Sequence, residues 1–314
     1  MQTQAQPQEY RAAVTAETHA RQVFTDTVSV TSATGGVGTS TIAALLTREL
    51  HTAMERCCLA EIDCRANGGG LDVLLGLEHV QGKRWQDIHA PLAQLDGSAL
   101  LEELPSWEDI SVLAFNSWLA AQPPQPFELV AAVEALSNQE CGLIVDAGQG
   151  EPFDHVSGLL RSPIVIAAEL SVLGLARTKA YMAWLQRMLQ QSVAAQRLAA
   201  KVQRREDARH KAASAREPHT AQVIQISAKP QIIVLGVMPR GTHHARGAVT
   251  AQDAEAYLGV GIAGVVQYEP KMCSDLLEGL GPDRVSKTTK KALRQVAQTV
   301  IDHWSQAPQG KQAL

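Results

Sequence analysis

Short runs of apolar residues alternate with segments of helical spacing along most of the chain. Such alternation is typical of a parallel sheet whose strands are joined by helices. The runs with the length of buried strands are residues 28–31, 58–62, 111–114, 143–146, 164–168, 232–238 and 262–267. Helical spacing marks residues 40–56, 127–136, 172–188 and 287–304. The pattern predicts an α/β fold: a doubly wound, mostly parallel sheet of about seven strands with helices on both faces.

Polar segments interrupt this pattern. Residues 1–27 are predicted to be a disordered tail, and residues 305–314 a second tail. Residues 190–229 are polar, rich in Ala and Gln, and locally basic, so they predict an insertion that extends the preceding helix and then becomes a mobile loop. The sequence therefore predicts one domain over residues 28–304, a length that is ample for a doubly wound core.

The composition fits a cytoplasmic protein with a core of small aliphatic side chains. Hydrophobic residues make up 45% of the 314 residues, but aromatic residues only 4%. The formal net charge of −4 gives no general reason to expect nucleic acid or an acidic membrane surface as a partner. No apolar run reaches membrane-spanning length, and the first residues lack the charged-then-apolar pattern of a secretory signal. We therefore predict a cytoplasmic location.

The cysteines and histidines do not predict a metal site. The five cysteines are Cys57, Cys58, Cys64, Cys141 and Cys273. Their number is odd and no pair has the spacing of zinc ligands, so we predict reduced, buried thiols. His243 and His244 are adjacent but have no third ligand nearby in sequence, which is typical of exposed loop residues.

A glycine-rich loop joins the first predicted strand to the first predicted helix. Residues 32–41 read Ser-Ala-Thr-Gly-Gly-Val-Gly-Thr-Ser-Thr. Glycines allow positive φ and close backbone approach, so the amides of this loop and of the helix N-terminus can point at a phosphate. In the usual phosphate-binding loop a lysine follows the last glycine and reaches the β- and γ-phosphates. Here that residue is Thr39, so the loop is suited to hold a nucleotide and poorly equipped to cleave one.

This loop resembles the deviant Walker A motif of the MinD/ParA ATPases. In that family lysines stand where this chain has Thr34 and Thr39. A small residue at the second of these positions resembles the CpaE/TadZ branch, which is associated with Tad pilus and secretion loci. Residues 68–78 and 83–88 are similar to the corresponding runs of actinobacterial CpaE-like or septum-site-determining proteins. The resemblance covers roughly residues 28–304, most of the chain, and implies a MinD-like P-loop fold with ATP and Mg²⁺ as ligands.

The resemblance assigns the nucleotide-site residues. The nucleotide-binding residues it implies are Thr34, Gly35, Gly36, Val37, Gly38, Thr39, Ser40, Thr41 and Gly150, the last as the glycine that senses the γ-phosphate. Ser40 would bind Mg²⁺ directly and Asp146, at the end of an apolar strand, would hold it through a water. The alternative for Asp146 is that it only caps the turn after a buried strand.

This chain departs from the family at residues that the family uses in catalysis. Relatives end the strand at residues 58–62 with two aspartates spaced by one residue, the second close to the attacking water. Asp63 remains as a candidate catalytic carboxylate, but the second position is Arg65. An arginine cannot accept a proton from water or orient it as a carboxylate does. Arg65 either pairs with a phosphate or is a solvated arginine at a strand end, and with Thr39 it predicts little or no hydrolysis.

The resemblance implies a nucleotide-binding or pseudo-ATPase localisation and assembly factor. Such a protein would act as a homodimer with Tad-type pilus, secretion or division proteins, recruited to the pole or septum, and meet membranes only through partners. The alternative is an active ParA/MinD-type ATPase in chromosome partitioning or division positioning. It would need a cation in place of Thr39, and the sequence offers none. DNA is not an expected partner, because a basic mobile segment gives only non-specific, salt-sensitive affinity.

Three other segments lead to predictions that can be compared with the structure. The apolar residues of 68–78 predict either a contact surface beside the nucleotide or burial within the monomer. Residues 234–240 lack the asparagine with which relatives read adenine, so base specificity stays open. The last predicted helix has an apolar stripe that predicts packing against the sheet: Leu293, Val296, Val300, Ile301 and Trp304.

Overall fold

A computed structural model gives the architecture of the chain. It describes residues 24, 26–63, 70–90, 94–118, 122–211, 231–240 and 247–306, without the side chains of residues 196 and 199–211. Arg65, Cys64, the His243–His244 pair and residues 212–230 of the predicted insertion lie outside the described residues.

The described residues form one eight-stranded sheet of order β3-β4-β2-β5-β1-β6-β7-β8. Its strands are β1 (Thr27–Ser32), β2 (Cys57–Glu61), β3 (Ser106–Trp107), β4 (Ile110–Leu113), β5 (Gly142–Asp146), β6 (Ile164–Glu169), β7 (Ile232–Val237) and β8 (Ile262–Val266). Every neighbouring pair is parallel except β3 with β4. The predicted mostly parallel sheet is confirmed. β3 was not predicted, because two residues are too short to show a period.

Helices join most of these strands. They are α1 (Thr39–Met54), α2 (Leu71–Leu74), α3 (Gly97–Glu103), α4 (Pro126–Ser137), α5 (Val172–Lys211), α6 (Ala251–Leu258), α7 (Pro270–Leu277) and α8 (Lys287–Gln306), with short 3-10 turns at Trp85–Asp87, Glu151–Asp154 and Ser157–Arg161. α2, α3, α6 and α7 were not predicted, because each has at most about two turns and is too short to reveal a helical face.

The helices cover both faces of the sheet, as predicted. Leu46 of α1 and Val296 of α8 belong to the apolar cluster on one face. Leu136 of α4 and Leu185 of α5 belong to the cluster on the other face. The apolar stripe of α8 packs against the sheet as expected, and the Trp304 indole Nε1 donates to the carbonyl of Thr27 at 3.1 Å. This bond fixes the start of β1, the strand that leads into the glycine-rich loop.

Helix α5 runs for 40 residues without interruption. Val193 is the last of its described side chains that is buried, so the helix continues past the end of its packing against the sheet. It passes through the first part of the predicted insertion and reaches Lys211. No helix in the described part of the chain has both the length and the apolar character needed to cross a bilayer.

The apolar residues of 70–78 are mostly part of the core. Leu71, Leu75 and Leu77 are buried within the chain, and Leu74 packs partly buried against the same cluster. Burial within the monomer therefore accounts for these leucines. Little of this segment is left for the predicted contact surface.

The run 83–88 supports the ends of two strands. The buried Arg84 guanidinium donates to the carbonyls of Leu77 (2.7 Å), Val80 (3.1 Å) and Gly82 (2.9 Å). The Trp85 indole donates to the carbonyl of Glu61, the last residue of β2. Arg84 therefore closes the turn before it, and Trp85 holds the strand end that leads to Asp63.

We expect Arg84→Met to lower the free energy of unfolding by about 2–3 kcal/mol, because three carbonyls lose a charged donor in a buried turn. Urea unfolding followed by circular dichroism measures the change. Lys83→Met is the matched control: Lys83 pairs with Glu103 between two half-exposed side chains, which contributes less than about 1 kcal/mol. Equal effects of the two substitutions would show that Arg84 does not hold the turn.

Candidate functional site

The glycine-rich loop has the backbone conformation of an anion cradle. Gly36 has φ 80° and Gly38 has φ 96°, and Gly38 immediately precedes α1. A Cβ built at either residue would meet nothing within 4 Å. Glycine is therefore required here by the left-handed backbone and not by lack of space.

The N-terminus of α1 presents unpaired amides to this loop. The first amide to find a helical acceptor is that of Ile42, which donates to the carbonyl of Gly38 at 2.9 Å. Helix geometry leaves the preceding amides of Thr39, Ser40 and Thr41 without an intrahelical acceptor, and no side chain caps them at Gly38. Their partial positive charge favours an anion at this point.

Both positions at which relatives carry lysine are occupied by neutral residues tied into the loop. Thr39 Oγ1 donates to Ser32 Oγ at 2.8 Å, and Ser32 Oγ donates to the carbonyl of Thr34 at 2.8 Å. Lys83 pairs with Glu103, and Lys179 donates to the carbonyl of Tyr257 at 2.6 Å. These lysines are engaged elsewhere, so neither replaces the missing charge at the loop.

Asp146 lies beside Ser40, where the resemblance places the Mg²⁺ site. Its carboxylate accepts hydrogen bonds from Ser40 and from the amide of Gly148, the latter at 3.1 Å. Burial, and to a smaller extent the charge of Asp63, raises the pKa of Asp146 to about 6 against the opposing effect of the two hydrogen bonds. Keeping the Asp146 carboxylate ionised therefore costs free energy, and a bound cation would lower this cost.

The loop after β5 is pinned to the end of β1 through Gly148. Its carbonyl accepts from the amide of Ser32 and from Thr31 Oγ1, both at 3.0 Å. Gly148 has φ 52°, and a Cβ there would collide with the carboxylate of Asp63. The carboxyl ends of β1, β2 and β5 thereby bring the phosphate loop, Asp63 and Asp146 together. Because Arg65 is outside the described residues, the predicted loss of hydrolysis stays a prediction.

Tyr181 of α5 is a site residue that the sequence did not reveal. Since Thr31 Oγ1 donates to Gly148, the Tyr181 hydroxyl donates to Thr31 Oγ1, at 2.6 Å. The hydroxyl also lies against the α-carbon of Gly150, and the ring stacks on Trp184 at 5.2 Å. Tyr181 connects α5 to the loop that ends at Gly150, and no local pattern marks it because it lies on a helix far along the chain.

Glu61 adds a further buried carboxyl beneath the site. It accepts a hydrogen bond from the amide of Phe115 at 2.9 Å. Burial first, and then the negative charges of Asp146 and Asp72, raise the pKa of Glu61 well above its usual range. The site is therefore rich in carboxyl groups that resist ionisation.

A crevice leads from the glycine-rich loop to the ends of β7 and β8. Gly36, Val37 and Gly38 line it together with Met238 and Tyr268. Its lining includes apolar side chains of α1 and α7. A partly apolar crevice beside an anion cradle suits an organic group that carries a phosphate.

No protein-family model and no curated protein matches the sequence, but solved structures do. The MinC:MinD cell division protein complex of Aquifex aeolicus matches with a TM-score of 0.60 at 15% identity, over 88% of this chain and 96% of that chain. The fold is that of the MinD and ParA ATPases. A ParA family ATPase of Chlorobium tepidum TLS gives 0.55 at 16%, over 90% and 98% of the two chains. The septum site-determining protein MinD of Pyrococcus horikoshii OT3, complexed with Mg-ADP, gives 0.55 at 16%, over 87% and 95%.

We expect Asp146→Asn to stabilise the free protein at pH 7.5. The raised pKa means that the folded state favours the protonated acid, so this stabilisation is complete below about pH 4 and is lost as the pH rises through about 6. The variant buries no charge, and its gain in the free energy of unfolding should reach roughly 3 kcal/mol at pH 7.5 and vanish near pH 4. Thermal melts from pH 4 to 8 measure this, with the exposed Asp302→Asn as control. A variant that is no more stable than wild type at pH 7.5 contradicts the expectation.

Proposed function

We propose that the protein binds a Mg²⁺-nucleotide, with ATP as the expected ligand, at residues 34–41 and holds it without appreciable hydrolysis. The observation that carries this proposal is the Ser40–Asp146 hydrogen bond beside the unpaired amides at the start of α1. A hydroxyl and a carboxylate at this place match the way Mg²⁺ is held in nucleotide sites, by few protein ligands together with waters and phosphates. A MinD of the same fold was solved with Mg-ADP.

The residues present fit Mg²⁺ and phosphate better than they fit phosphate alone. The phosphates would lie on backbone amides, close to the carboxyls of Asp63 and Asp146. When bound, Mg²⁺ supplies positive charge between these groups. We therefore expect nucleotide affinity to depend strongly on Mg²⁺.

The residues expected beside the γ-phosphate explain why the nucleotide would be held but not hydrolysed. Thr39 is neutral and hydrogen-bonded to Ser32, so it offers no charge to the bridging and γ-oxygens. Fixed contacts to developing charge are typically worth about 3–4 kcal/mol in the transition state. Asp63, which packs on Gly148, would have to orient the attacking water without the second aspartate that relatives have. These features support a pseudo-ATPase over an active partitioning ATPase.

We assign the protein a role in localisation or assembly, in which the nucleotide-bound form recruits partners. Tad-type pilus or secretion machinery and septum-site determination are the candidate settings, on the resemblance of residues 34–41, 68–78 and 83–88 to CpaE/TadZ-like proteins. A chain of the same fold occurs in a complex of MinD with MinC. Contact with a membrane would then come through partners, and DNA is not among them.

Exposed apolar side chains support a homodimer across the site edge of the sheet. Val172 and Leu173, directly after β6, are 77% and 59% exposed, and Trp118, after β4, is 71% exposed. The ends of these parallel strands lie on the same edge as the glycine-rich loop. Large exposed apolar residues at the edge that carries the site suit a contact surface.

Binding without turnover is tested by calorimetry of ATP and ADP with and without Mg²⁺, alongside phosphate release. We expect Mg²⁺-dependent binding and background hydrolysis. Thr39→Lys should tighten binding more than it raises turnover, because it restores a phosphate contact but not the water-side carboxylate. Steady phosphate release by the wild type that Asp146→Ala abolishes would refute retention, and absence of binding would refute the nucleotide site.

The homodimer is tested by sedimentation velocity with and without ATP and Mg²⁺. We expect the wild type to dimerise at high concentration without hydrolysis, and Leu173→Glu to weaken the dimer at least tenfold. Leu198→Glu is the matched control, since Leu198 is 64% exposed on the same helix but beyond its packing against the sheet. A monomeric wild type under both conditions, or equal dimerisation of the two folded variants, would rule out this interface.

A further inference from the structure

The crevice beside the glycine-rich loop contains one cationic side chain among its described lining residues. That residue is Arg240, which follows β7 and lines the crevice together with Gly36 and Gly38. The carboxylates of Glu169 and Glu269 line the same crevice. Since Thr34 and Thr39 are neutral, Arg240 is the positive charge that the described residues offer an anion here.

The two carboxylates of the crevice are already held by other groups. Glu169 Oε1 accepts a hydrogen bond from Ser171 at 2.6 Å. Glu269 accepts bonds from the amide and the hydroxyl of Ser286, both at 2.7 Å. In the described part of the chain no residue forms an ion pair or hydrogen bond with the exposed Arg240 guanidinium. The guanidinium is therefore able to turn to a ligand without breaking a contact to the described residues.

A nucleotide bound at the glycine-rich loop would need a positive charge from a nearby side chain. ATP with one Mg²⁺ still carries net negative charge, and Asp63 and Asp146 lie near the place where its phosphates would sit. Backbone amides provide only partial charges. A guanidinium provides a full positive charge and several N–H donors for phosphate oxygens.

We propose that Arg240 binds the phosphates of the nucleotide and so takes over part of the charge compensation that a loop lysine would provide. This inference rests on the nucleotide binding proposed above. The charge comes from Arg240, which follows β7, and not from the position after the last glycine of the loop, so it is expected to support binding of the nucleotide more than its cleavage.

The test compares Arg240→Gln and Arg240→Lys with wild type in calorimetric titrations of ATP and ADP with Mg²⁺, at 50 and 300 mM NaCl. Loss of a charge-assisted contact should weaken binding about 10-fold to 100-fold in Arg240→Gln. Arg240→Lys keeps the charge and should recover most of the affinity at low salt. The difference between wild type and Arg240→Gln should shrink at high salt.

The exposed Arg187→Gln on α5 is the control, because it removes the same charge away from the crevice. Thermal melts verify that each variant is folded. Wild-type affinity in Arg240→Gln, an equal loss in Arg187→Gln, or a loss in Arg240→Lys as large as in Arg240→Gln would each overturn the role of Arg240. A wild type that binds no nucleotide overturns the proposed function itself, and this inference with it.

Discussion

The carbonyl of Gly148 is the point on which the candidate site depends. It accepts hydrogen bonds from the amide of Ser32 and the hydroxyl of Thr31, and so fixes the loop after β5 to the end of β1. Parallel pairing of β5 with β1 and β2 then sets Asp146 beside the start of α1 and Asp63 against Gly148. A side chain at Gly148 would break this arrangement both by its φ and by collision with Asp63.

The same arrangement concentrates carboxyl groups at a cost in stability. Burial raises the pKa of Asp146 and of Glu61, so the charged forms are disfavoured in the free protein. Binding sites selected for function often have such unfavourable charges when free, and the ligand offsets them when it binds. Amides, a cation and Arg240 would balance these charges together, without the loop lysine on which phosphoryl transfer normally relies.

Much of the fold was predictable from the sequence, because buried parallel strands are continuous apolar runs bounded by turns. The glycine-rich loop was predictable from its order of strand, glycines and helix. Tyr181 and Arg240 were not, since they reach the site from a helix and a loop far along the chain, and neither belongs to a local motif. The leucines at 71–77 were visible in the sequence, but their apolar pattern fitted a contact surface and a core equally well. Only the tertiary packing distinguished these two interpretations.

The central claim is that this site holds a nucleotide and leaves it intact. The most direct measurement is a crystal structure of the protein after prolonged incubation with ATP and Mg²⁺. The account predicts an unbroken triphosphate whose oxygens accept from the amides of residues 35–41, with the cation beside Ser40 and Asp146. ADP in the site, or a triphosphate bound away from this loop, would contradict it.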